Sequence, residues 1–141
     1  MRKRNPARWA AIDGRLGREL TVWLTTVRHD GRPHTAPVWF IWLDDVLYFC
    51  TSVHSQKYLN LGFETAVTAS LPDTSNVIII EGHAAIAHPD AIDPLADYFY
   101  HKYEWDFRED HSTQWGLITV TPIKVLAWGD GYDEAEGTRA W

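Results

Sequence analysis

Cysteine occurs once in these 141 residues, at Cys50. A lone cysteine excludes an internal disulfide framework, and its place between Phe49 and Thr51 in a strand-like run suits a buried structural thiol better than a nucleophile. Positive charge is also scarce. Thirteen Lys and Arg against nineteen Asp and Glu give a net charge of −6, too few clustered cations to neutralise a nucleic-acid backbone. No charged start followed by a long apolar run marks a leader or a membrane span, so a cytoplasmic protein with no membrane partner is expected. The chain lacks G-x-S-x-G, H-E-x-x-H and C-x-x-C, and its seven histidines have no metal-ligand spacing, which argues against hydrolytic and metal chemistry alike. His29 and His34 flank a turn and are expected to be exposed.

What the chain has in quantity is aromatic surface: eight Trp, six Tyr and five Phe. Flat faces of this kind fill a dense core or stack on a planar ligand. The length suits one domain spanning residues 1–141, able to remove roughly 68% of its unfolded surface from water. The basic residues Arg2, Lys3, Arg4, Arg8, Arg15 and Arg18 gather at the amino terminus. They form either a solvated helix face or an arm over an acidic ligand.

Periodicity predicts a helix opened by Asn5 and Pro6, with Trp9, Ile12, Leu16 and Leu20 at helical spacing. From Thr21 the pattern turns to strands. TVWLTTVR, a turn at His29–Arg32 and a run from Pro33 to Leu43 make a hairpin, and Asp44 and Asp45 turn the chain into a third strand, Val46–Thr51. Because Val38–Leu43 is apolar at every position, both of its faces need cover, one from a barrel interior and the other from a partner subunit or a ligand. A short helix is expected over Ser55–Gly62 and strands over Ala66–Leu71 and Val77–His88. A helix opened by Asp93 and Pro94 precedes a last strand, 115–128, disturbed at Pro122. The expected fold is mainly β with flanking helices, a six-stranded antiparallel split barrel that forms a homodimer.

Thr51, Ser52, Ser55 and Lys57 follow the third strand. Hydroxyls, a lysine and the free amides of a helix start form a donor set suited to phosphate. The same residue types are also ordinary helix caps and surface groups.

The order LTTVRHDGRPHTAPVWFIWLDDVLYFCTSVHSQKYLNL, then VIIIEGHA, resembles the FMN-binding split-barrel proteins related to pyridoxamine phosphate oxidase, especially the branch using the deazaflavin F420. The resemblance covers about residues 20–87 and rests on D-G-R-P-H-x-x-P-V-W-F, Y-F-x-T and S-x-K-x-x-N-L. It implies an oxidoreductase that binds FMN or F420 and passes a hydride to or from a small organic substrate. A carrier of flavin, F420 or haem on the same fold is the alternative. By resemblance, the ring lies against Ala36, Pro37, Val38, Trp39 and Phe40 at a dimer interface, to which the partner contributes Ile79 and Ile80. The phosphate is held by Thr51, Ser55 and Lys57, beside Cys50 and Gln56. Trp128 borders the ring, and Arg139 belongs to a T-R-A-W ending like that of some members. No protein acid, base or nucleophile is implied, since the cofactor carries the redox chemistry.

Overall fold

The computed structural model describes residues 5–129 and, for the backbone alone, Arg139 and Ala140. Arg2, Lys3 and Arg4, with Thr138 and Trp141 of the T-R-A-W ending, lie outside the described residues. Helix α1 (Pro6–Arg18) starts where Asn5 Oδ1 accepts the amide of Arg8 at 3.1 Å, and it buries Trp9, Ile12 and Leu16. The strands are β1 (Val22–Val27), β2 (Pro33–Val38), β3 (Ile41–Leu43), β4 (Val46–Ser52), β5 (Ala66–Ser70), β6 (Asn76–Ile86), β7 (Trp115–Gly129) and β8 (Arg139–Ala140). Helix α2 (Gln56–Leu61) follows β4, and α3 (Ile92–Tyr103) follows β6 through a short turn at Pro89–Ala91.

These strands form one eight-stranded sheet, ordered β2-β1-β5-β6-β7-β4-β3, with β8 on β7 and every pairing antiparallel. The first and last strands of that path, β2 and β3, are separated in sequence by Trp39 and Phe40 alone. The three Cα–Cα steps from Val38 to Ile41 reach at most about 11 Å. The sheet must therefore curl until its two edges meet, which makes a barrel split at one seam. Leu24, Phe40, Leu47, Phe49, Ile78, Ile80, Ile118 and Val120 fill its interior, capped by Trp9, Ile12 and Leu16 of α1.

The seam corrects the expected strand count. Pro33–Leu43 is two strands rather than one, because the chain leaves one sheet edge at Val38 and joins the other at Ile41. With β8 this gives eight strands in place of six. At the break, backbone groups that a ladder would satisfy are met from α3. The Tyr103 hydroxyl accepts the Phe40 amide at 2.9 Å and has the Leu20 and Phe40 carbonyls at 2.8 Å to receive its proton. Lys102 Nζ donates to the Phe40 carbonyl at 3.0 Å and sits 4.1 Å over the Phe40 ring, where burial pushes its pKa down to about 8.

The second apolar face of this region is covered from within the chain. Ile41, Leu95, Ala96, Phe99, Phe107 and Leu117 form a second core between α3 and the outside of the β3-β4-β7 strands, with Leu43, Tyr48 and Cys50 packed against it. The apolar run thus needs no partner subunit to explain it. The amino-terminal cations divide as well. Arg8 is buried and donates to the Ala127 carbonyl, and Arg15 pairs with Glu19 and with Asp73. Neither belongs to a free arm.

Backbone demands account for particular residues elsewhere. Gly31 turns the first hairpin at φ 88°, and Asp44 and Asp45 both take positive φ, 50° and 64°, as a two-residue hairpin turn requires. The register slips between Glu81 and Gly82 opposite β7, which leaves Ile123 unpaired beside Pro122, so the expected disturbance lies there. A Cβ on Gly82 would stand 2.4 Å from the Thr121 carbonyl oxygen. Only glycine fits that approach.

Candidate functional site

A pocket of about 530 Å³ opens on the outside of the barrel beside the seam, within the usual size range of small-molecule sites. Its floor is Pro37, Val38 and Cys50, from the end of β2 and the middle of β4. Around it stand a hydroxyl cluster, Thr51, Ser52 and Ser55 with Lys57, and an aromatic cluster, Trp39, Phe99, Trp105 and Trp115 with Asp110; the two adjoin where Ser52 faces Trp115 across the β4–β7 ladder.

The hydroxyl cluster is built by β4 running into α2. Ser55 caps the helix by accepting the Tyr58 amide at 3.2 Å, and its Oγ lies 2.8 Å from the Thr51 hydroxyl, which is buried. One proton of that hydroxyl pair serves their mutual bond, and the other remains to be donated. Ser52 Oγ meets Thr113 Oγ1 at 2.7 Å and accepts the His54 amide at 3.2 Å. Burial lowers the pKa of Lys57 below the ordinary lysine value. Helix α2 has six residues, too few for a strong dipole, so hydroxyls, the first helix amides and Lys57 carry the polarity here. Farther along α2, Asn60 faces inward: it is buried, donates to Thr26 Oγ1 at 2.9 Å and accepts from Gln56 Nε2 at 2.7 Å.

His34 lies close enough to Lys57 to feel its charge but does not line the pocket. It is half-buried rather than exposed, with burial and then the charges of Arg28 and Lys57 lowering its pKa. The two cations therefore share a neighbourhood with a neutral imidazole. His29, by contrast, is exposed and packs against Phe63 at 4.6 Å.

The aromatic cluster comes from α3 and the segment after it. Trp39, 49% exposed, stacks on Tyr103 with centroids 4.6 Å apart and an interplanar angle of 3°. Trp105 stands edge-on to Trp39, Phe99 and Trp115, at 77°, 89° and 80°. Asp110 accepts from Trp105 Nε1 at 2.9 Å, from the Ser112 amide at 3.0 Å and from Ser112 Oγ at 2.6 Å. These bonds, led by the Ser112 hydroxyl, hold its pKa down near 2. Arg108 fastens the segment to α3 by bonding Asp93 and Asp97, and it also pairs with Asp106 within the segment.

Of the residues expected from the sequence, Pro37, Val38, Trp39, Cys50, Thr51, Ser55 and Lys57 come together around this pocket. Others do not. Phe40 and Ile80 are buried in the barrel core, Ala36 is half-buried within β2, and Gln56 is exposed. Ile79 and Trp128 are half-buried on β6 and β7, and Arg139 is described by backbone alone, opposite Ala127. Cross-strand partners run Pro37, Trp23, Ser70, Ile79, Leu126, which puts Ile79 three strands, about 14 Å, from Pro37 of the same chain. Burial raises the Cys50 thiol to about 12, as expected of a structural cysteine. Trp105, Asp110 and Trp115, which also line the pocket, were not legible as site residues. No spacing marks them; the Ser52–Thr113 contact, the Val53–Gln114 backbone bond and the pairing of Trp115 with Ser52 bring residues 110–115 alongside β4.

A curled antiparallel sheet closed through a two-residue seam, with an aromatic pocket that also holds hydroxyls and a lysine, defines a split-barrel protein. Residues 9–129 match the family described as pyridoxamine 5'-phosphate oxidase, and the chain belongs to that family. No curated protein matches. Among solved structures, an F420 reductase is 27% identical, with a TM-score of 0.67, over 80% of this chain and 94% of that one. A conserved hypothetical protein from Mycobacterium tuberculosis is 22% identical (TM-score 0.74, 85% and 83% covered). The haem storage protein HutZ of Vibrio cholerae is 15% identical (TM-score 0.70, 89% and 96% covered). The last two share the fold. Among the described residues no helix is long and apolar enough to cross a membrane.

Proposed function

We propose that this protein is an FMN- or F420-dependent oxidoreductase that passes a hydride between its cofactor and a small organic substrate. The observation carrying this reading is the joining, in one pocket, of an aromatic cluster to the phosphate-competent set Thr51, Ser55 and Lys57. The donor set fits a phosphate, and the floor of Pro37, Val38 and Cys50 fits one face of a planar ring. When bound, the cofactor supplies the hydride chemistry. The chain's own groups bind and orient. Lys57 and the Thr51–Ser55 hydroxyl pair fix the anionic end, while Trp39, Trp105 and Trp115 keep water from the ring. Neither a histidine nor an ionised thiol lines this pocket, so haem fits it less well: Cys50 holds its proton at neutral pH. The 27% identity to an F420 reductase supports the deazaflavin branch.

The homodimer belongs to the same proposal. Ile79 cannot reach the pocket of its own chain, but a second copy packed on the outer sheet face, where Trp23 is 44% exposed, would bring it there. The test is turnover. Purified protein with reduced F420 or reduced FMN should oxidise the cofactor when offered a panel of enones, quinones and imines, and light scattering should return the dimer mass. Stoichiometric binding with no substrate-dependent oxidation would leave a carrier.

A further inference from the structure

The pocket's aromatic cluster holds a charge that the cofactor reading does not use. Asp110 is held ionised by an indole N–H, an amide and a hydroxyl, all neutral donors that stabilise its charge without cancelling it. Among the described residues no cation pairs with it. Arg108, two residues earlier, is taken by Asp93, Asp97 and Asp106, and Lys57 does not figure among the influences on Asp110. Other described acids in ion pairs, such as Asp30 with Arg32 and Asp73 with Arg15, have their counter-charge at hand.

Around this carboxylate, Trp39, Phe99, Trp105 and Trp115 line the same pocket, with Trp105 nearly perpendicular to the other three. Perpendicular aromatic walls beside a fixed anion form an environment that favours an organic cation, which gains from ring quadrupoles and from the charge. A second anion would be repelled there. The pocket thus carries both signs of charge, Lys57 among its hydroxyls and Asp110 among its aromatics.

We propose that the part of the pocket around Asp110 is a subsite for an organic cation, an alkylammonium or cationic nitrogen heterocycle, and that this is the charge class of the substrate. The substrate role rests on the oxidoreductase reading; the cation subsite does not.

The test uses the full chain without added cofactor and follows tryptophan fluorescence. Choline is compared with its neutral isostere 3,3-dimethylbutan-1-ol, which differs only in carbon for charged nitrogen at the branched centre. Choline should bind about tenfold tighter or more, the scale of a desolvated cation on aromatic faces. Asp110→Asn should remove about tenfold from choline alone, with the melting point measured alongside. Equal affinity of the two probes overturns the subsite, as does binding of neither, and so does an unchanged choline Kd in a folded Asp110→Asn protein. If that variant does not fold, the comparison of the two probes on the wild type decides. FMN and F420 are titrated separately. Cation binding without cofactor binding would refute the oxidoreductase and leave the subsite standing, and the reverse would do the opposite.

Discussion

Iodoacetamide should alkylate Cys50 at pH 8 about a thousandfold more slowly than it alkylates a free thiol. The thiolate is the reactive species, and burial among Tyr48, Trp105 and Trp115 raises this thiol from 9.0 to about 12. At pH 8 a thiol of pKa near 9 is about one-tenth ionised, against about one part in ten thousand at 12. The rate should climb about tenfold per pH unit up to that value. The same shift has a sign for stability. Between about 9 and about 12 the unfolded chain loses this proton and the folded chain keeps it, so stability falls as pH rises through that window. Cys50 lines the pocket floor, which makes its inertness informative. A rate within tenfold of a free thiol would mean an ionisable cysteine facing the ligand and would reopen nucleophilic chemistry.

Lys57→Ala should weaken FMN or F420 binding roughly ten- to a hundredfold, since a charge-assisted hydrogen bond to phosphate contributes on the order of 1.5 to 3 kcal/mol. Its neighbours do not replace it. The imidazole of His34 is kept neutral by burial and by Arg28 and Lys57, and Arg28 is engaged with the Pro33 carbonyl at 2.9 Å. The fold should survive, because Lys57 is half-buried at the start of α2 and belongs to neither core. Burial lowers its pKa, and an incoming phosphate would push that pKa back up. An unchanged Kd with an unchanged melting point would remove Lys57 from the site.

Local signals carried most of the elements. The Asn5-Pro6 start, the Asp30-Gly31 and Asp44-Asp45 turns and the Ser55 cap each satisfy a backbone requirement within a few residues. Long-range geometry was harder to read. Val38–Leu43 looks like one strand because every side chain is apolar, yet its residues belong to two sheet edges, and α3, fifty residues later, covers the outer one. Arg8 looks like its basic neighbours, but the helix turns it inward to the Ala127 carbonyl. Ile79 and Ile80 look alike as well, and strand alternation sends Ile80 to the core. The grouping of Thr51, Ser55 and Lys57 was legible because one strand and the helix after it supply it together. Asp110 and Trp105 were not, since their place follows from how residues 104–115 return along β4.

The central claim is that the hydroxyls and Lys57 hold the phosphate of a flavin-type cofactor whose ring lies on Pro37 and Val38. Riboflavin and FMN share the ring and differ by that phosphate. Equilibrium titration of the purified protein with the two, followed by flavin fluorescence, tests the claim most directly. FMN should bind at least about tenfold more tightly than riboflavin, and F420 should displace it. Equal affinities, or no binding of FMN and F420 alike, would contradict the account.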